Sequence, residues 1–226
     1  KNMRKQLLIF IAFLSISNLY AQDIFIQAGK NITSYDFVTN QSVSPTPPDY
    51  RVGTGNFYEI GYSPRGSMKK GPIQNLTYLV SLTYNEFNAE ASKDLNSYAW
   101  KTSYVGLQNV IEYSFYETRI GVKLSLNAGL NAATIIKGDQ FINNVFYDLT
   151  TNEEFSGLVM QGIVGLNTKY TISKDVTCNL GCNYSKAYNN TINSDFTQLT
   201  INTLQFKFGL HYLLKQKRSR SGFNSK

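Results

Sequence analysis

The 226-residue chain has few of the side chains from which metal and covalent sites are built. It contains one histidine, His211, and two cysteines, Cys178 and Cys182. A single imidazole excludes a metal site made from several histidines. If both cysteines lie on one strand, their Cα atoms stand about 13 Å apart, whereas a disulfide needs less than about 7 Å. We therefore predict no metal site, no cofactor and no disulfide within that strand.

Sequence motifs for catalysis are also missing. The chain has no glycine-rich phosphate loop, no nucleophile elbow and no spacing typical of zinc ligands. We predict that the protein is not an enzyme. A serine or aspartate paired with His211 stays open as the weakest alternative.

The excess of positive charge lies at the two ends of the chain. The net charge is +7, but eight basic residues lie outside residues 22–214, so that body carries −1. A nucleic-acid-binding domain needs a basic face on its folded part. We therefore predict no nucleic-acid partner.

Long hydrophobic runs are limited to one, near the N-terminus. Met3-Arg4-Lys5 is followed by an apolar run from Leu7 to Leu14 and a small residue at Ala21, which is the layout of a secretory signal peptide. The run is shorter than the roughly 20 residues of a membrane-spanning helix. We predict that residues 1–21 are a signal peptide, in which Lys1 and Asn2 are read-through residues upstream of the start at Met3. Residues 215–226 are predicted to be a basic periplasmic tail, or to contact anionic lipid headgroups.

Strict alternation of residue types is what the sequence does contain. From Arg119 to Ala132, the even positions are all apolar and the odd positions are all polar or glycine. This period of two indicates a β-strand whose faces meet different surroundings. The run is longer than a usual soluble strand of about 5–6 residues and reaches the roughly 9–11 residues that cross a membrane. A membrane barrel would turn the apolar face to lipid, whereas an exported soluble sandwich would turn it inward.

Eight segments carry this alternation, and long and short connections follow one another between them. The segments cover residues 24–37, 56–63, 76–88, 98–115, 119–137, 158–172, 176–188 and 200–214. Outer-membrane barrels have an even number of strands, short periplasmic turns and longer outer loops. Tyrosines near many segment ends are typical of the aromatic girdles at membrane interfaces. We predict an all-β, eight-stranded, antiparallel up-and-down transmembrane barrel over residues 22–214, located in the outer membrane.

Charged residues on the inward face are the candidate site. The predicted lumen cluster consists of Glu59, Glu112, Arg119, Lys123, Lys169 and Lys207. Because buried charges need partners, we expect the two glutamates to pair with Arg119, Lys123 or Lys207. The interior of an eight-stranded barrel is just wide enough to be filled by side chains. A filled polar core is therefore the leading interpretation, and a gated or leaky pore is the alternative.

Two loops are the second candidate site. Residues 38–55 contain a proline-rich stretch, and residues 138–157 combine aromatic and acidic side chains. Long loops on a rigid scaffold often bind a partner. They could bind an extracellular protein or a small molecule, or they could simply be exposed.

The chain resembles the small outer-membrane barrels of Bacteroidetes-type bacteria, the porin-like or PorT-like group. The resemblance rests on the signal end YAQD (20–23), the strand IGVKLSLNAGL (120–130) and the final strand KFGLHYLL (207–214). It implies a barrel-assembly signal at Lys207, Gly209, Tyr212 and Leu214, read by the assembly machinery through strand pairing. It also implies contact with outer-membrane lipid. The leading function is a structural or interaction barrel, and the alternatives are a narrow diffusion channel, a secretion-accessory barrel and a soluble exported sandwich.

Overall fold

The computed structural model describes residues 22–39, 49–64, 75–93, 96–143, 145–150, 157–189 and 197–214. The predicted signal peptide (residues 1–21) and basic tail (residues 215–226) lie outside the described residues and stay predictions. So do residues 40–48 of the predicted loop 38–55, whereas the structure places the remaining residues of that loop in strands, which corrects its bounds. Within the described ranges, no helix is long and apolar enough to cross a bilayer.

Nine strands make up the described chain. They are β1 (Gln22–Thr39), β2 (Asp49–Pro64), β3 (Leu76–Lys93), β4 (Asn96–Glu117), β5 (Val122–Ile142), β6 (Val145–Asp148), β7 (Leu158–Thr171), β8 (Val176–Asn189) and β9 (Thr197–Leu213). All of them except the short β6 are at least 14 residues long. This length suits strands that cross a membrane at a tilt.

Eight of the strands close into a ring. Each long strand pairs antiparallel with the next one along the chain, and β9 returns to pair with β1 from Asp23 to Thr39. The short β6 pairs only with β5, so it extends the β5 end as a hairpin. The predicted all-β, eight-stranded, up-and-down barrel is confirmed. A sandwich is excluded because a closed ring has no second sheet against which to pack.

The lower part of the barrel, near both chain ends, turns apolar side chains outward. We call it the membrane section: residues 23–29, 57–63, 77–84, 105–115, 122–132, 160–171, 177–185 and 204–213. On β9 the outward residues from Leu204 to Tyr212 are all apolar or aromatic. Nine residues rising about 3.3 Å each at a tilt of about 40° span roughly 23 Å, close to the ~25 Å apolar band of membrane barrels.

Tyrosines border this apolar band at both of its edges. Tyr58, Tyr84 and Tyr184 are outward-facing at the edge away from the chain ends, and Tyr113, Tyr170 and Tyr212 are outward-facing near the other edge. Amphipathic rings favour the headgroup level on both sides of a bilayer. The band and its two girdles together define the part of the barrel that lies in lipid.

The strands continue beyond the band into what we call the outer section: residues 30–39, 49–56, 85–93, 96–104, 133–142, 157–159, 186–189 and 197–203. Here the pattern is reversed. The buried side chains pointing into the barrel are mainly apolar and include Tyr35, Phe87, Trp100, Tyr104 and Ile201. The outward side chains include Asp36, Thr54, Glu90 and Lys101. The outer section therefore packs like a soluble protein.

Several strand boundaries differ from the sequence prediction, and the start of β5 shows one reason. The alternation begins at Arg119, but β5 begins at Val122, and residues 118–121 form the turn from β4. Gly121 has φ +84°, a conformation that suits glycine. Thr118 Oγ1 accepts a hydrogen bond from Val122 N at 3.0 Å, which fixes the turn. The first three residues of the alternation are thus a coincidence of composition.

Candidate functional site in the lumen and at the outer rim

Glu59 lies inside the barrel and is held by three strands. Its Oε1 accepts hydrogen bonds from Ser81 Oγ at 2.6 Å and from Gln108 Nε2 at 2.8 Å. Lys207 Nζ lies 3.9 Å from Glu59 Oε2, and both side chains are buried. The long Lys207 stem crosses Gly181, where a Cβ atom would lie 2.9 Å from Lys207 Cε. The missing side chain on β8 therefore makes room for the lysine of β9.

Glu112 forms the second ion pair of the lumen. Its Oε1 accepts a hydrogen bond from Lys169 Nζ at 2.5 Å, and its Oε2 accepts one from Asn167 Nδ2 at 2.8 Å. Because these residues lie on β4 and β7, the contact crosses the barrel past β5. Two carboxylates and two ammonium groups thus balance in the membrane section, which is the condition for burying charge at tolerable cost.

Two members of the predicted lumen cluster lie elsewhere. Arg119 is exposed in the β4–β5 turn and does not reach the lumen. Lys123 is the second residue of β5. Its Nζ lies 3.1 Å from Glu117 Oε1, and both side chains are well exposed. Glu112 therefore pairs with Lys169 and not with any of the expected partners, whereas Glu59 pairs with Lys207 as expected. The alternation could not reveal where the turn ended, so it placed both basic residues too deep.

The lone histidine lies against the floor of the lumen. The His211 ring stacks on Phe25 with centroids 4.9 Å apart. Its Nε2 is buried and has no hydrogen-bond partner among the described residues. The same described part of the chain contains no group of three metal-ligating side chains. This nitrogen is therefore not paired with a serine or aspartate there.

A belt of amides and hydroxyls lies above the ion pairs, at the boundary between the two sections. Asn31 Oδ1 accepts a hydrogen bond from Gln205 Nε2 at 3.0 Å, and its Nδ2 donates to Asn85 Oδ1 at 3.3 Å. On the opposite wall, Asn131 Nδ2 donates to Gln161 Oε1 at 3.1 Å. Asn31 and Asn131 are both 0% exposed. The belt is therefore packed without water-sized gaps at these two side chains.

An aromatic plug fills the outer section above the belt. We use this name for Tyr35, Phe87, Trp100, Tyr104 and Leu149. Tyr35 and Tyr104 are 0% exposed. Tyr35 Oη donates to Phe87 O at 2.9 Å and lies 2.7 Å from Thr102 Oγ1, so the ring is fixed across three strands. The plug lies inside the barrel at the end away from the start of β1 and the end of β9.

The plug was missed by the sequence analysis, although the sequence carries a signal for it. On β3 the inward residues change from Ser81, Thr83 and Asn85 to Phe87, Ala89 and Ala91. The period of two continues, but the identity of the apolar face changes from the even to the odd positions. A search of each predicted strand for this change from even to odd apolar positions would have distinguished the membrane section from the outer section.

The β5–β6 hairpin, described at residues 139–143 and 145–148, exposes aromatic side chains at the outer rim. Phe146 is 56% and Tyr147 is 48% exposed. Asn143 ties the hairpin to the start of β4, because its N donates to Ser97 O at 3.0 Å and its Oδ1 accepts from Ser97 N at 2.9 Å. Phe141 packs edge-on against Phe146 at 5.9 Å. The hairpin is therefore a fixed projection within the stretch predicted as loop 138–157.

Asp148 ends this hairpin and is exposed. Its Oδ1 accepts hydrogen bonds from Thr150 N at 2.8 Å and Thr150 Oγ1 at 2.7 Å. These bonds favour the ionised carboxylate and lower the pKa of Asp148 below its ordinary value. The hairpin therefore carries a fixed negative charge at its base.

The residues of the predicted assembly signal alternate in direction on β9. Lys207 and Gly209 face the lumen, Tyr212 faces outward, and Leu214 follows the end of the strand. Phe206, Phe208 and Leu210 complete the outward ridge. The role of this ridge in assembly stays a prediction.

Comparison with protein-family models and with curated proteins finds no match. Several solved outer-membrane proteins are similar in fold. Outer membrane protein OprG from Pseudomonas aeruginosa is 14% identical with a TM-score of 0.48, over 88% of this chain and 98% of that one. Outer Membrane Protein W of E. coli is 12% identical, with a TM-score of 0.45 over 85% and 97% of the chains. Outer membrane protease OmpT from Escherichia coli is 8% identical, with a TM-score of 0.45 over 87% and 98%.

The location of the protein follows from the architecture described above. An even, closed ring of tilted antiparallel strands with a lipid-facing apolar band and two aromatic girdles is the outer-membrane type of barrel. The chain is an outer-membrane β-barrel. Its short turns, at residues 118–121 and 172–175, lie at the end of the barrel where β1 begins and β9 ends. That end is the periplasmic one in such barrels.

Proposed function

We propose that the protein is a structural or interaction barrel of the porin-like, PorT-like group, with a closed lumen and a partner-binding outer rim. The observation that carries the proposal is the aromatic plug. Tyr35 and Tyr104 are wholly buried inside the outer section. An eight-stranded barrel has little interior volume beyond its own side chains, so a plug of large rings supports a closed barrel.

The narrow diffusion channel is the alternative that the lumen itself could suggest. The ion pairs Glu59–Lys207 and Glu112–Lys169 lie on any path through the membrane section. However, an ion would next have to pass the amide belt and the aromatic plug. The secretion-accessory role rests on the family resemblance alone. The proposal includes no catalysis, although OmpT is a protease with a similar fold.

Conductance in planar lipid bilayers tests the closed lumen. We expect no steady conductance from the purified barrel. The double variant Phe87→Ala/Tyr104→Ala removes two rings that lie 5.5 Å apart and should produce openings if the plug is the seal. Phe146→Ala, on the exposed hairpin, is the control and should stay closed. Steady conductance of the unaltered protein would favour the channel instead.

The outer rim is the proposed binding surface. Phe146 and Tyr147 expose rings on a hairpin that is already fixed by Asn143. Exposed aromatic groups held rigidly lose little conformational freedom on binding. The loops at residues 38–55 and 138–157 would contribute the rest of a surface for an extracellular protein or a small molecule.

Site-specific photo-crosslinking in intact cells tests this surface. A photoreactive residue at position 146 should form an adduct that the same residue at position 52 does not form. Val52 is the matched control because it is also exposed in the outer section. Identical adduct patterns at both positions would argue against a specific partner at the hairpin. Recognition of β9 by the assembly machinery belongs to the same proposal.

A further inference from the structure

An apolar groove crosses the outer face of the membrane section. It runs over β9, β1, β2, β3 and β4 and has a volume of about 560 Å³. Its lining includes the outward side chains of Ile26, Ala28, Tyr58, Ile60, Leu82 and Phe208. We call it the β1 groove. Neither the plug nor the outer rim uses it.

A small residue lies between two rings within the groove. Ala28 pairs with Tyr58 of β2 on one side and with Phe208 of β9 on the other. Because a methyl group stands between two aromatic side chains, the surface between them is recessed. A convex barrel wall offers few such recesses, and this one lies within the apolar band.

A lysine follows the groove at the edge of the band. Lys30 is the next outward residue of β1 after Ala28, and its Nζ donates to Asn56 Oδ1 at 2.6 Å. Asn56 Nδ2 in turn donates to Glu86 Oε2 at 2.8 Å. The amide thus separates the ammonium from the carboxylate. Within the described ranges, Lys30 forms no ion pair, and its ammonium has further N–H groups to donate.

Charge and shape together specify the occupant. The apolar groove fits an acyl chain, and the ammonium at its upper edge complements an anionic headgroup at the same height. We propose that the β1 groove binds one anionic phospholipid, with an acyl chain between Tyr58 and Phe208 and the phosphate at Lys30. This inference does not depend on the proposed function, because neither the closed lumen nor the outer rim contributes to it.

Native mass spectrometry of the full barrel is the test. The protein is inserted into vesicles of equal parts phosphatidylglycerol and phosphatidylcholine, extracted in mild detergent, and the retained lipids are counted. We expect one retained lipid, with phosphatidylglycerol preferred. Lys30→Gln should lower that preference about fivefold, which corresponds to about 1 kcal/mol for one basic residue near an anionic surface. Lys186→Gln, outward at the edge of the band on β8, is the control and should keep it.

A second pair of variants tests the groove itself. Ala28→Trp fills the recess and should abolish the retained lipid. Ala128→Trp is the matched control, because Ala128 is also an exposed outward alanine but lies on β5, away from the groove. Boiled and unboiled gel mobility establishes that each variant is folded. If Ala28→Trp does not fold, the Lys30 pair alone decides.

Two results would overturn the proposal. Equal lipid retention by the unaltered protein, Ala28→Trp and Lys30→Gln would mean that the retained lipid is nonspecific. A dimer of the unaltered protein that Ala28→Trp dissociates would mean that a second copy of the chain occupies the groove.

Discussion

The membrane section and the outer section of this barrel have opposite polarity on the same eight strands. On β2, Ile60 faces lipid while Glu59 faces the lumen, and a few residues further out Thr54 faces water. In the membrane section the barrel buries charge and amides, whereas in the outer section it buries aromatic rings. The difference shows that the surroundings of a strand, and not its alternation, decide which face is apolar.

Removing a ring from the aromatic plug should have the largest effect on stability. Phe87→Ala deletes a side chain that is buried inside the outer section. The cavity should lower the free energy of unfolding by about 3–5 kcal/mol. Urea unfolding of the barrel in lipid vesicles measures it. Phe146→Ala on the exposed hairpin is the control, and an equal loss there would contradict a packed outer core.

An arginine substitution should have the second-largest effect on stability, and only in the membrane section. Ile60 faces outward in the membrane section of β2 and is 56% exposed, and Val52, near the outer end of the same strand, is 64% exposed. Ile60→Arg puts a charge in the lipid band and should cost about 2–4 kcal/mol. Val52→Arg lies in the outer section and should change stability by less than about 0.5 kcal/mol. Similar costs for both substitutions in the same unfolding assay would place the band elsewhere.

Two tyrosines of the plug should respond differently to loss of their hydroxyl groups. Tyr35→Phe removes the bonds to Phe87 O and Thr102 Oγ1 and should cost about 1–3 kcal/mol. The buried Tyr104 hydroxyl has no hydrogen-bond partner among the described residues, so Tyr104→Phe should leave stability unchanged or raise it. The unfolding midpoint in urea compares the two, and a larger loss for Tyr104→Phe would contradict this.

The smallest expected effect is a pH dependence confined to the outer rim. The pKa of Asp148 is lower in the folded protein than in the unfolded chain. The stability that its ionised carboxylate contributes is therefore complete above the unfolded pKa and is lost as the pH falls through the folded pKa. NMR signals of Thr150 should therefore shift below about pH 4. Asp148→Asn should remove the shift while the lumen signals stay unchanged. A shift that persists in Asp148→Asn would assign it to another group.

The long strands could be predicted because alternation over many residues indicates a strand with two different faces, and their closure could be predicted because eight such segments with long and short connections in turn favour a barrel. Glu59, Glu112, Lys169 and Lys207 could be placed inward by the same rule. The position of Arg119 outside the lumen could not be predicted. The turn that contains it is fixed by the Thr118 hydroxyl and by Gly121, and the residues of this turn continue the alternation. Which glutamate faces which lysine depends on strand stagger around the ring, and the pattern of single strands does not contain it.

The absence of a side chain at Gly181 of β8 leaves space that side chains of the two neighbouring strands occupy. A Cβ atom at residue 181 would clash with Asn167 Oδ1 and would lie 2.9 Å from Lys207 Cε, so both side chains need the space that the glycine leaves. An alanine at 181 would force Asn167 and the Lys207 stem to shift, which would disturb the hydrogen bond from Asn167 to Glu112 and the pairing of Lys207 with Glu59. The two sites should therefore vary together among related barrels, a small residue at one accompanying a long residue at the other.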